Sequence, residues 1–519
     1  MGEVVNNEDP KSSRLKVNLN VFWFIIILLT TIFITIIITA LSLNGNTERA
    51  VNVGTDTRQE FAKLYNVYDT LSKEYYTDVD KDELIESSIK GMVEGLNDPY
   101  SEYMLPEQTE EFEESITGDF HGIGAELMQD DRSIIISSPM KGSPAEDAGL
   151  QSGDKIIEID EESTQDFTTQ DAVKRIRGEK GTDVTLTIQR GSDKPFNVTI
   201  TRDKIHVDSV TSEIKDNVAH ISVNRFQQET ANELKNALEE AKDKEVEDII
   251  LDFRSNPGGL LNEAVDMINF FVNKGKLVLY LENKFGDREK VIAENDQIIR
   301  EDDFDNIYIL LNEGSASASE VFAGAMRDLT DAEIIGTKSF GKGIVQRSSE
   351  FKDNSLVKYT NTKWLTPNGE WIHEKGIEPD FVINTPDFYR VKFLDSEDAY
   401  IETQSNDDII SIKVILDALG YDVDKIDNNF DSNLTKVVQQ YQNDKDLEPN
   451  GIVTGDTTEQ LMKDIREHIK ENDVQLEYLL DYIKGKKSKK EITKEMKENS
   501  KYIPVDESRK RELDEDEEE

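Results

Sequence analysis

The sequence predicts a multi-domain α/β protein: an α/β core, an inserted β-rich domain, an N-terminal transmembrane helix and a small all-α C-terminal module. Three observations predict the globular part. Residues 205–390 alternate β-rich runs with amphipathic helical stretches, and residues 115–204 alternate short apolar runs with turns. Apolar residues in 402–468 recur with helical spacing. A chain of 519 residues has room for several domains of ordinary size.

The N-terminal element is an uncharged, nearly all apolar segment at residues 21–43. At about 1.5 Å per residue it spans about 34 Å, enough for a hydrocarbon core of about 30 Å. Three cations precede it, at Lys11, Arg14 and Lys16, so we expect residues 1–20 in the cytoplasm and the rest outside the cell membrane. A cleaved signal peptide is the alternative, with Ala40-Leu41-Ser42 as its only small-residue cleavage candidate.

Helices are predicted next, over residues 55–114, from apolar positions that recur with helical spacing. Within this region Asp78-x-Asp80-x-Asp82 faintly resembles a calcium loop, but it lacks the glycine and glutamate that such a loop requires. Acidic residues opening a helix are the better interpretation, because they complement the helix dipole.

The α/β core is predicted from strands alternating with helices, which indicates a mainly parallel sheet covered by helices. The predicted strands are Val218–Val223, Asp248–Phe253, Leu277–Leu281 and Ile307–Leu311, and the predicted helices are Ala231–Ala241, Asn262–Phe271 and Ser317–Leu329.

Residues 312–346 combine a candidate nucleophile with a candidate base. Ser317 lies among small residues at the start of an amphipathic helix, where backbone N–H groups can stabilise an oxyanion. Lys342 is flanked by Gly341 and Gly343, and an extended segment containing Gln346 follows. This pattern favours acyl-transfer chemistry by a serine and a lysine.

Four motifs resemble those of the C-terminal processing (tail-specific) serine peptidase family, also described as CtpA-like. They are Asn-Asp-Pro-Tyr-Ser-x-Tyr at 97–103, Asp-Phe-Arg-x-Asn-Pro-Gly-Gly at 252–259, Gly-Ser-Ala-Ser-Ala-Ser-Glu at 314–320 and Phe-Gly-Lys-Gly-x-Val-Gln at 340–346. The resemblance implies a crotonase-like core at 205–390, with Ser317 as nucleophile, Lys342 as general base and Gln346 orienting that lysine. Asp328 falls where some members are described with a charge-relay residue.

The resemblance also implies where backbone groups act. We assign the oxyanion hole to the N–H of Gly258 or Gly259 together with that of Ala318. Residues 143–160 resemble the helix–turn–strand of a PDZ domain, predicted at 115–204. Its peptide-binding loop is then Gly122-Ile123-Gly124-Ala125, beside which an extended peptide with a free C-terminus would add as a strand. Arg177 matches an arginine common in this family, although a solvated charge is its simpler interpretation.

Two C-terminal segments complete the chain. Residues 402–468 resemble a small peptidoglycan-binding module, although Asp427-Asn428 and Asn450-Gly451 depart from its usual Asp-Gly turns, so a purely structural appendage remains an alternative. Residues 483–519 are dense in charge and are predicted to be a disordered tail.

Composition restricts the partners. The net charge of −47 argues against nucleic acid, and the absence of cysteine excludes disulfides and thiolate metal sites. No histidine pair suggests a metal, and we expect no cofactor. The sequence therefore predicts a membrane-anchored serine endopeptidase that cleaves extracytoplasmic polypeptides near their C-termini, with the oligomeric state, a homo-oligomer included, left open. The alternatives are a catalytically silent scaffold of PDZ and peptidoglycan-binding domains, and a Ser-His-Asp hydrolase using His220 or His373.

Overall fold

The structure is a computed structural model that describes residues 59–130, 133–300, 302–499 and 502. The chain divides into two compact units, residues 1–89 and 90–519. The described part of the first unit contains helix α1 (Ala62–Glu74) and the beginning of α2 (Lys81–Glu94). The Asp80 carboxylate accepts the N–H groups of Asp82 and Glu83, which fits acids that open a helix.

The predicted transmembrane segment at 21–43 lies outside the described residues, as do residues 1–20. Within the part of the chain that the structure describes, no helix is both long and apolar enough to cross a membrane.

The second unit begins with a short strand and a helix, followed by the β-rich domain. These elements are β1 (Glu102–Met104), α3 (Pro106–Thr117), β2 (Asp119–Gly122), β3 (Ala125–Asp130), β4 (Ser133–Pro139), α4 (Pro144–Asp147), β5 (Lys155–Ile159), β6 (Glu162–Ser163), α5 (Thr169–Ile176), β7 (Asp183–Gln189), β8 (Phe196–Thr201) and β9 (Asp203–His206). Strands β3-β4-β5-β7-β8 form a sheet, with β6 paired to β5. Strand β2 pairs with β9, so the domain leaves and rejoins the core through one two-stranded ribbon.

The α/β core follows. Its elements are β10 (Val210–Lys215), β11 (Val218–Val223), α6 (Thr230–Asp243), β12 (Asp248–Asp252), α7 (Leu261–Ile268), β13 (Leu277–Glu282), β14 (Arg288–Ile292), β15 (Asn306–Leu311), α8 (Ala318–Leu329), β16 (Glu333–Gly336), β17 (Ile344–Glu350), β18 (Leu356–Leu365) and β19 (Phe381–Val382). The main sheet has the order β10-β11-β12-β15-β16-β19, and every pair except β10–β11 is parallel. The predicted mainly parallel sheet is therefore confirmed.

A second sheet in the α/β core is antiparallel. It contains β1-β18-β13-β14, with β17 paired to β18. Strand β17 begins two residues after Lys342, so this sheet holds the predicted base while the main sheet leads into the helix of Ser317.

Both faces of the main sheet are buried. Side chains alternate along each strand, so Ile249 and Leu251 pack into the core on the side of α6, α7 and α8, whereas Ile250 belongs to a second cluster on the other side. A central strand buried on both faces reads as a continuous apolar run, which is what residues 249–251 show.

The C-terminal module contains three helices, α9 (Asp408–Ala418), α10 (Ser432–Asp444) and α11 (Asp456–Glu471), around a separate apolar core. Lys413 is buried inside it, and its amine donates to Asp427 at 2.8 Å. The Asp427-Asn428 turn, which replaces the usual Asp-Gly turn of such modules, therefore has a structural role, because the Asp427 carboxylate neutralises a buried cation.

The prediction of a disordered tail over residues 483–519 is wrong for residues 489–499, which form a helix. Residues beyond the module form α12 (Val474–Ile483) and α13 (Lys489–Asn499). Four side chains of these helices are buried in the second cluster on the main sheet: Tyr478, Leu479, Ile492 and Met496. Apolar burial against a sheet thus orders a segment whose composition favours disorder. Residues 503–519 lie outside the described residues.

Candidate active site

A pocket of about 520 Å³ contains both residues that the sequence paired, Ser317 and Lys342. Its floor comes from the start of α8 and from the glycine loop after β12. Its walls come from α3 and from strands β17 and β18, which contribute Phe112, Gln346 and Lys358. The pocket is open at the surface and is lined by both polar and apolar residues.

Ser317 lies in the tight connection between β15 and α8, with backbone angles φ 56° and ψ −112°. A serine with positive φ is uncommon and costs free energy, so the surrounding structure must hold it there. Hydrogen bonds do so: the Ala316 N–H and the Ser319 hydroxyl both donate to the carbonyl of Asn256, at 3.0 Å each. The nucleophile loop is thereby attached to the glycine loop of the neighbouring parallel strand.

The glycine loop provides one half of an anion site. Gly258 has φ 96°, and a Cβ there would lie 2.8 Å from the Cβ of Ser317, so the close approach requires glycine. Its own N–H donates to the Asn256 side chain at 2.9 Å. Among the described residues, the N–H groups of Gly259 and Ala318 have no acceptor. Of the two glycine N–H groups that the sequence offered, that of Gly258 is therefore occupied, whereas that of Gly259 is available together with that of Ala318.

The Lys342 side chain lines the pocket just before strand β17 begins. Burial lowers the pKa of its amine, the charge of Lys358 lowers it further, and Asp98 and Glu320 oppose the shift. Nζ lies 4.6 Å from the centroid of the Tyr100 ring, a cation–π distance. Within the described chain no hydrogen bond joins this amine to the Ser317 hydroxyl. Hydrogen bonds between catalytic groups are often long or poorly aligned before substrate binds, so the pairing of Lys342 with Ser317 stays a prediction.

Gln346 lines the same pocket but does not hold the lysine in this structure. Its amide donates to the Thr360 hydroxyl at 3.4 Å, and the described residues show no hydrogen bond from it to Lys342. The Tyr100 ring, for which the sequence gave no role beyond its motif, lies beside the amine instead. Asp98, in the same motif, accepts the Ser101 hydroxyl at 2.6 Å, and Ser101 in turn accepts the Thr360 N–H.

Asp328 is not brought to the pocket. It lies eleven residues after Ser317 on α8, a separation of about 16 Å along a helix. Its carboxylate accepts the Asn368 N–H at 3.0 Å and pairs with Arg327. The structure therefore gives Asp328 a local role at the far end of the helix, and no charge relay to the nucleophile.

Neither candidate histidine lies in the pocket. His220 bonds to Asp252 at 3.0 Å on the opposite side of the main sheet, next to Arg254. His373 accepts the Gly343 N–H at 3.3 Å and stacks on Trp371. A Ser-His-Asp arrangement around Ser317 is therefore absent from the described residues.

The predicted peptide-binding loop, Gly122–Ala125, is held through its carbonyl groups. The Gly124 carbonyl accepts the Met140 N–H and the Ser143 hydroxyl, and the Ile123 carbonyl accepts the Ala145 N–H. The N–H groups of Ile123 and Gly124 have no acceptor in the described chain. Arg177, at the end of α5, pairs with Glu114 of α3 and lies over the Phe120 ring, and its side chain remains 41% exposed, as the interpretation of a solvated charge expects.

One cluster in the described residues could supply metal ligands: His206, Asp208 and Glu233. Both ring nitrogens of His206 already bond to carboxylates, to Asp119 at 2.8 Å and to Glu233 at 3.0 Å. The cluster lies at the β2–β9 ribbon, outside the pocket, and gives no reason to add a metal to the site chemistry.

A serine hydrolase requires a serine, a base and N–H groups that can stabilise an oxyanion, and this pocket contains a serine beside unpaired N–H groups and an amine of lowered pKa. Comparison with known proteins agrees. Four family profiles match the chain: peptidase family S41 over 217–383, the N-terminal domain of the activating protease CtpB over 38–108, a PDZ domain over 111–189 and a putative peptidoglycan binding domain over 405–461.

Relatives cover almost the whole chain. A probable CtpA-like serine protease of Staphylococcus epidermidis (strain ATCC 12228) is 42% identical over 475 residues, which are 92% of this chain and 96% of the relative. One from Staphylococcus aureus (strain COL) is 42% identical over 479 residues, with the same shares. A photosystem II D1 C-terminal processing protease of known structure is 25% identical, over 62% of this chain and 86% of its own, with a TM-score of 0.37. The chain belongs to peptidase family S41 and is a serine peptidase.

Proposed function

We propose that this peptidase is anchored in the cell membrane and cleaves extracytoplasmic polypeptides near their C-termini, with Ser317 as nucleophile and Lys342 as general base. The observation that carries the proposal is the shared pocket. One side presents Ser317 and the unpaired N–H groups of Gly259 and Ala318, and the other presents a lysine whose pKa is lowered by burial.

The lowered pKa matters because an ordinary lysine cannot act as a base. With a pKa of about 10.4, only about 0.04% of lysine amines are neutral at pH 7. Burial favours the neutral form, which takes the proton from the Ser317 hydroxyl as its oxygen bonds to the scissile carbonyl carbon.

The remaining steps follow from the same groups. The carbonyl oxygen becomes negative between the N–H groups of Gly259 and Ala318. The Lys342 ammonium then gives its proton to the leaving amine as the C–N bond breaks, leaving an acyl group on Ser317. Water, deprotonated by the amine, hydrolyses that ester and restores both residues.

The test uses the full-length chain in detergent and an unfolded protein with an apolar C-terminus. Wild type should shorten the substrate from its C-terminal side, and Ser317→Ala should not, while keeping the circular dichroism spectrum of the wild type. Cleavage by Ser317→Ala would transfer the activity to another residue. A wild-type chain with no activity on any unfolded protein would favour the silent scaffold.

Substrate capture is assigned to the loop Gly122–Ala125, whose unpaired N–H groups at Ile123 and Gly124 suit a terminal carboxylate. Charge-assisted hydrogen bonds to that carboxylate are lost when it is an amide. A substrate amidated at its C-terminus should therefore be cleaved markedly more slowly than the free acid. Equal rates for the two would show that this domain does not recognise the terminus.

The anchor and its topology rest on the sequence: an apolar span at 21–43 that follows three cations. Protease added to intact protoplasts should degrade residues C-terminal to the span. Full protection would place the catalytic part in the cytoplasm.

The C-terminal module is proposed to retain the enzyme at peptidoglycan, in line with the family profile over 405–461. Purified sacculi should sediment the full-length chain in detergent and release it on addition of soluble peptidoglycan fragments. A chain that stays in the supernatant at moderate salt would leave the module with a structural role.

A further inference from the structure

One buried carboxylate links the two reactive residues. Glu320 lies in the first turn of α8 and is fully buried. Its Oε2 accepts the N–H of Ser317 and the N–H of Lys342, both at 2.8 Å. Its Oε1 accepts the Ser339 hydroxyl and the Gly341 N–H, both at 2.6 Å. The nucleophile and the base thus share a single acceptor atom through their backbones.

These four donors occupy the whole capacity of the carboxylate, which has about four acceptor positions. No lysine, arginine or histidine in the described residues forms an ion pair with it. A buried charge without a cation is costly, so the local structure must place four dipoles on it for it to persist. Burial accordingly raises the pKa of Glu320, against the effect of its hydrogen bonds.

The hydrogen bonds also explain two features of the site. Ser317 has unfavourable backbone angles, and the bond from its N–H to Glu320 is one of the contacts that hold it there. Lys342 follows a glycine with φ 92°, in a loop that lacks regular strand pairing until Ile344. A backbone bond from the Phe340 N–H to the Ser315 carbonyl also joins the two loops, but Glu320 is the side chain that binds the backbones of both Ser317 and Lys342.

We infer that Glu320 is a positioning residue of the peptidase, which fixes the backbone of the Ser317 nucleophile against that of the Lys342 base and keeps a negative charge near the lysine amine. This inference rests on the proposed Ser–Lys chemistry and identifies the group that aligns it.

The negative charge gives the inference a measurable signature. The groups that face the Lys342 amine are Lys358, Asp98, Glu320 and the Tyr100 ring. Glu320 and Asp98 favour the charged amine, and Lys358 disfavours it. Removing the Glu320 charge lowers the pKa of Lys342, so the rise of activity with pH moves to lower pH. A residue that merely supported the fold would lower the rate and leave the position of the rise unchanged.

The experiment compares Glu320→Gln with wild type in the full-length chain. The amide keeps the size of the carboxylate but presents N–H donors to groups that are themselves donors. We expect kcat to fall by roughly 100-fold or more, KM to stay within about threefold, and the pH–rate rise to move to lower pH. Glu263→Gln is the matched control, because Glu263 is a partly buried carboxylate that accepts the Ala231 N–H outside the pocket. It should change neither kcat nor the profile.

A milder variant covers the case in which Glu320→Gln fails to fold. Ser339→Ala removes one of the four donors and leaves the charge in place. It should lower kcat about three- to tenfold with KM unchanged. Unchanged kcat in the folded variant would overturn the inference, as would a Glu320→Gln enzyme with near-normal kcat and an unmoved profile.

Failure of the proposed chemistry is distinguished by labelling. A fluorophosphonate reacts with an activated serine whatever its base, and Ser317→Ala is the unlabelled control. Slow labelling of Glu320→Gln together with active Lys342→Ala would keep Glu320 as a positioning residue for Ser317 and remove Lys342 as the base. Wild-type labelling of Glu320→Gln would exclude Glu320 from positioning the nucleophile.

Discussion

The two faces of the main sheet perform different tasks. On one face α8 brings Ser317 to the substrate pocket, and the helices α6 and α7 fill the core beside it. On the other face α12 and α13 cover the sheet and contribute no residue to the pocket. The first face therefore carries the proposed chemistry, and the second carries support.

Contacts on the second face stabilise the end of β12, from which the glycine loop of the site starts. Arg254 directly precedes the glycine loop and is nearly buried between Asp252 at the end of β12 and Asp473 at the start of α12, with distances of 2.7 and 2.5 Å. His220 adds a further bond to Asp252. A helix that follows the C-terminal module in sequence thus stabilises the strand end from which the oxyanion loop starts. Residues 473–499 therefore belong to the peptidase core in structure.

The largest effect is expected from Arg254→Ala. This change leaves the buried carboxylate of Asp252 and the partly exposed carboxylate of Asp473 without their cation, which should lower the free energy of unfolding by about 3–5 kcal/mol. Urea denaturation measures the loss. The control is Arg288→Ala, which removes an exposed guanidinium from Glu282 while Lys363 still pairs with that carboxylate, and it should cost less than about 1 kcal/mol. Equal small effects would mean that the second face does not support the first.

A proline in α13 tests whether the charged C-terminal segment is a helix. Lys494 is exposed, so its side chain contributes little, but Lys494→Pro removes a helical hydrogen bond and should cost about 3 kcal/mol. Lys494→Ala should be neutral within about 0.5 kcal/mol. In a disordered tail the two variants would melt at the same temperature as wild type.

Acid should weaken the support that the second face gives. Burial raises the pKa of Asp252, but the hydrogen bond from His220 and the charge of Arg254 outweigh that effect and hold the pKa at about 2, below its ordinary 3.8. A depressed carboxyl pKa contributes stability that is present above the unfolded pKa and lost as pH falls through the folded one. About 2 kcal/mol should therefore disappear between about pH 4 and pH 2, measured as urea midpoints. In Asp252→Asn this part of the pH dependence should be missing.

The smallest effect is expected from Asp328→Asn, at the end of α8 away from the pocket. The amide can still accept the Asn368 N–H, so kcat should stay within about threefold of wild type. Loss of activity as complete as that of Ser317→Ala, in a folded variant, would restore a relay role for Asp328.

The sequence predicted the first face well because helical spacing there is strong and the motifs are long. It placed Ser317, Lys342 and Gln346 in one pocket, where the structure has them. It did not predict that Gln346 bonds to Thr360, because a side-chain partner on a neighbouring strand depends on register rather than on spacing. Glu320 is the last residue of the motif at 314–320. Its proposed role depends on its burial and on the four groups that donate to its carboxylate, which the sequence does not show.

The second face was missed for a different reason. In residues 489–499 charge dominates the composition, and the two buried side chains, Ile492 and Met496, are only a four-residue repeat. That repeat is the spacing of one helical face, but two residues are too weak a signal against a charged background. The apolar surface that orders the helix belongs to strands more than a hundred residues earlier in the chain.

The central claim is that Lys342 is the base for Ser317, and the rate of cleavage in three folded variants tests it most directly. Lys342→Ala should lower kcat by about 100- to 10,000-fold, the range of general-base catalysis. His220→Gln and His373→Ala should remain within about tenfold of wild type, since neither histidine lies in the pocket. Near-normal turnover by Lys342→Ala, or loss of activity in a folded histidine variant, would contradict the account.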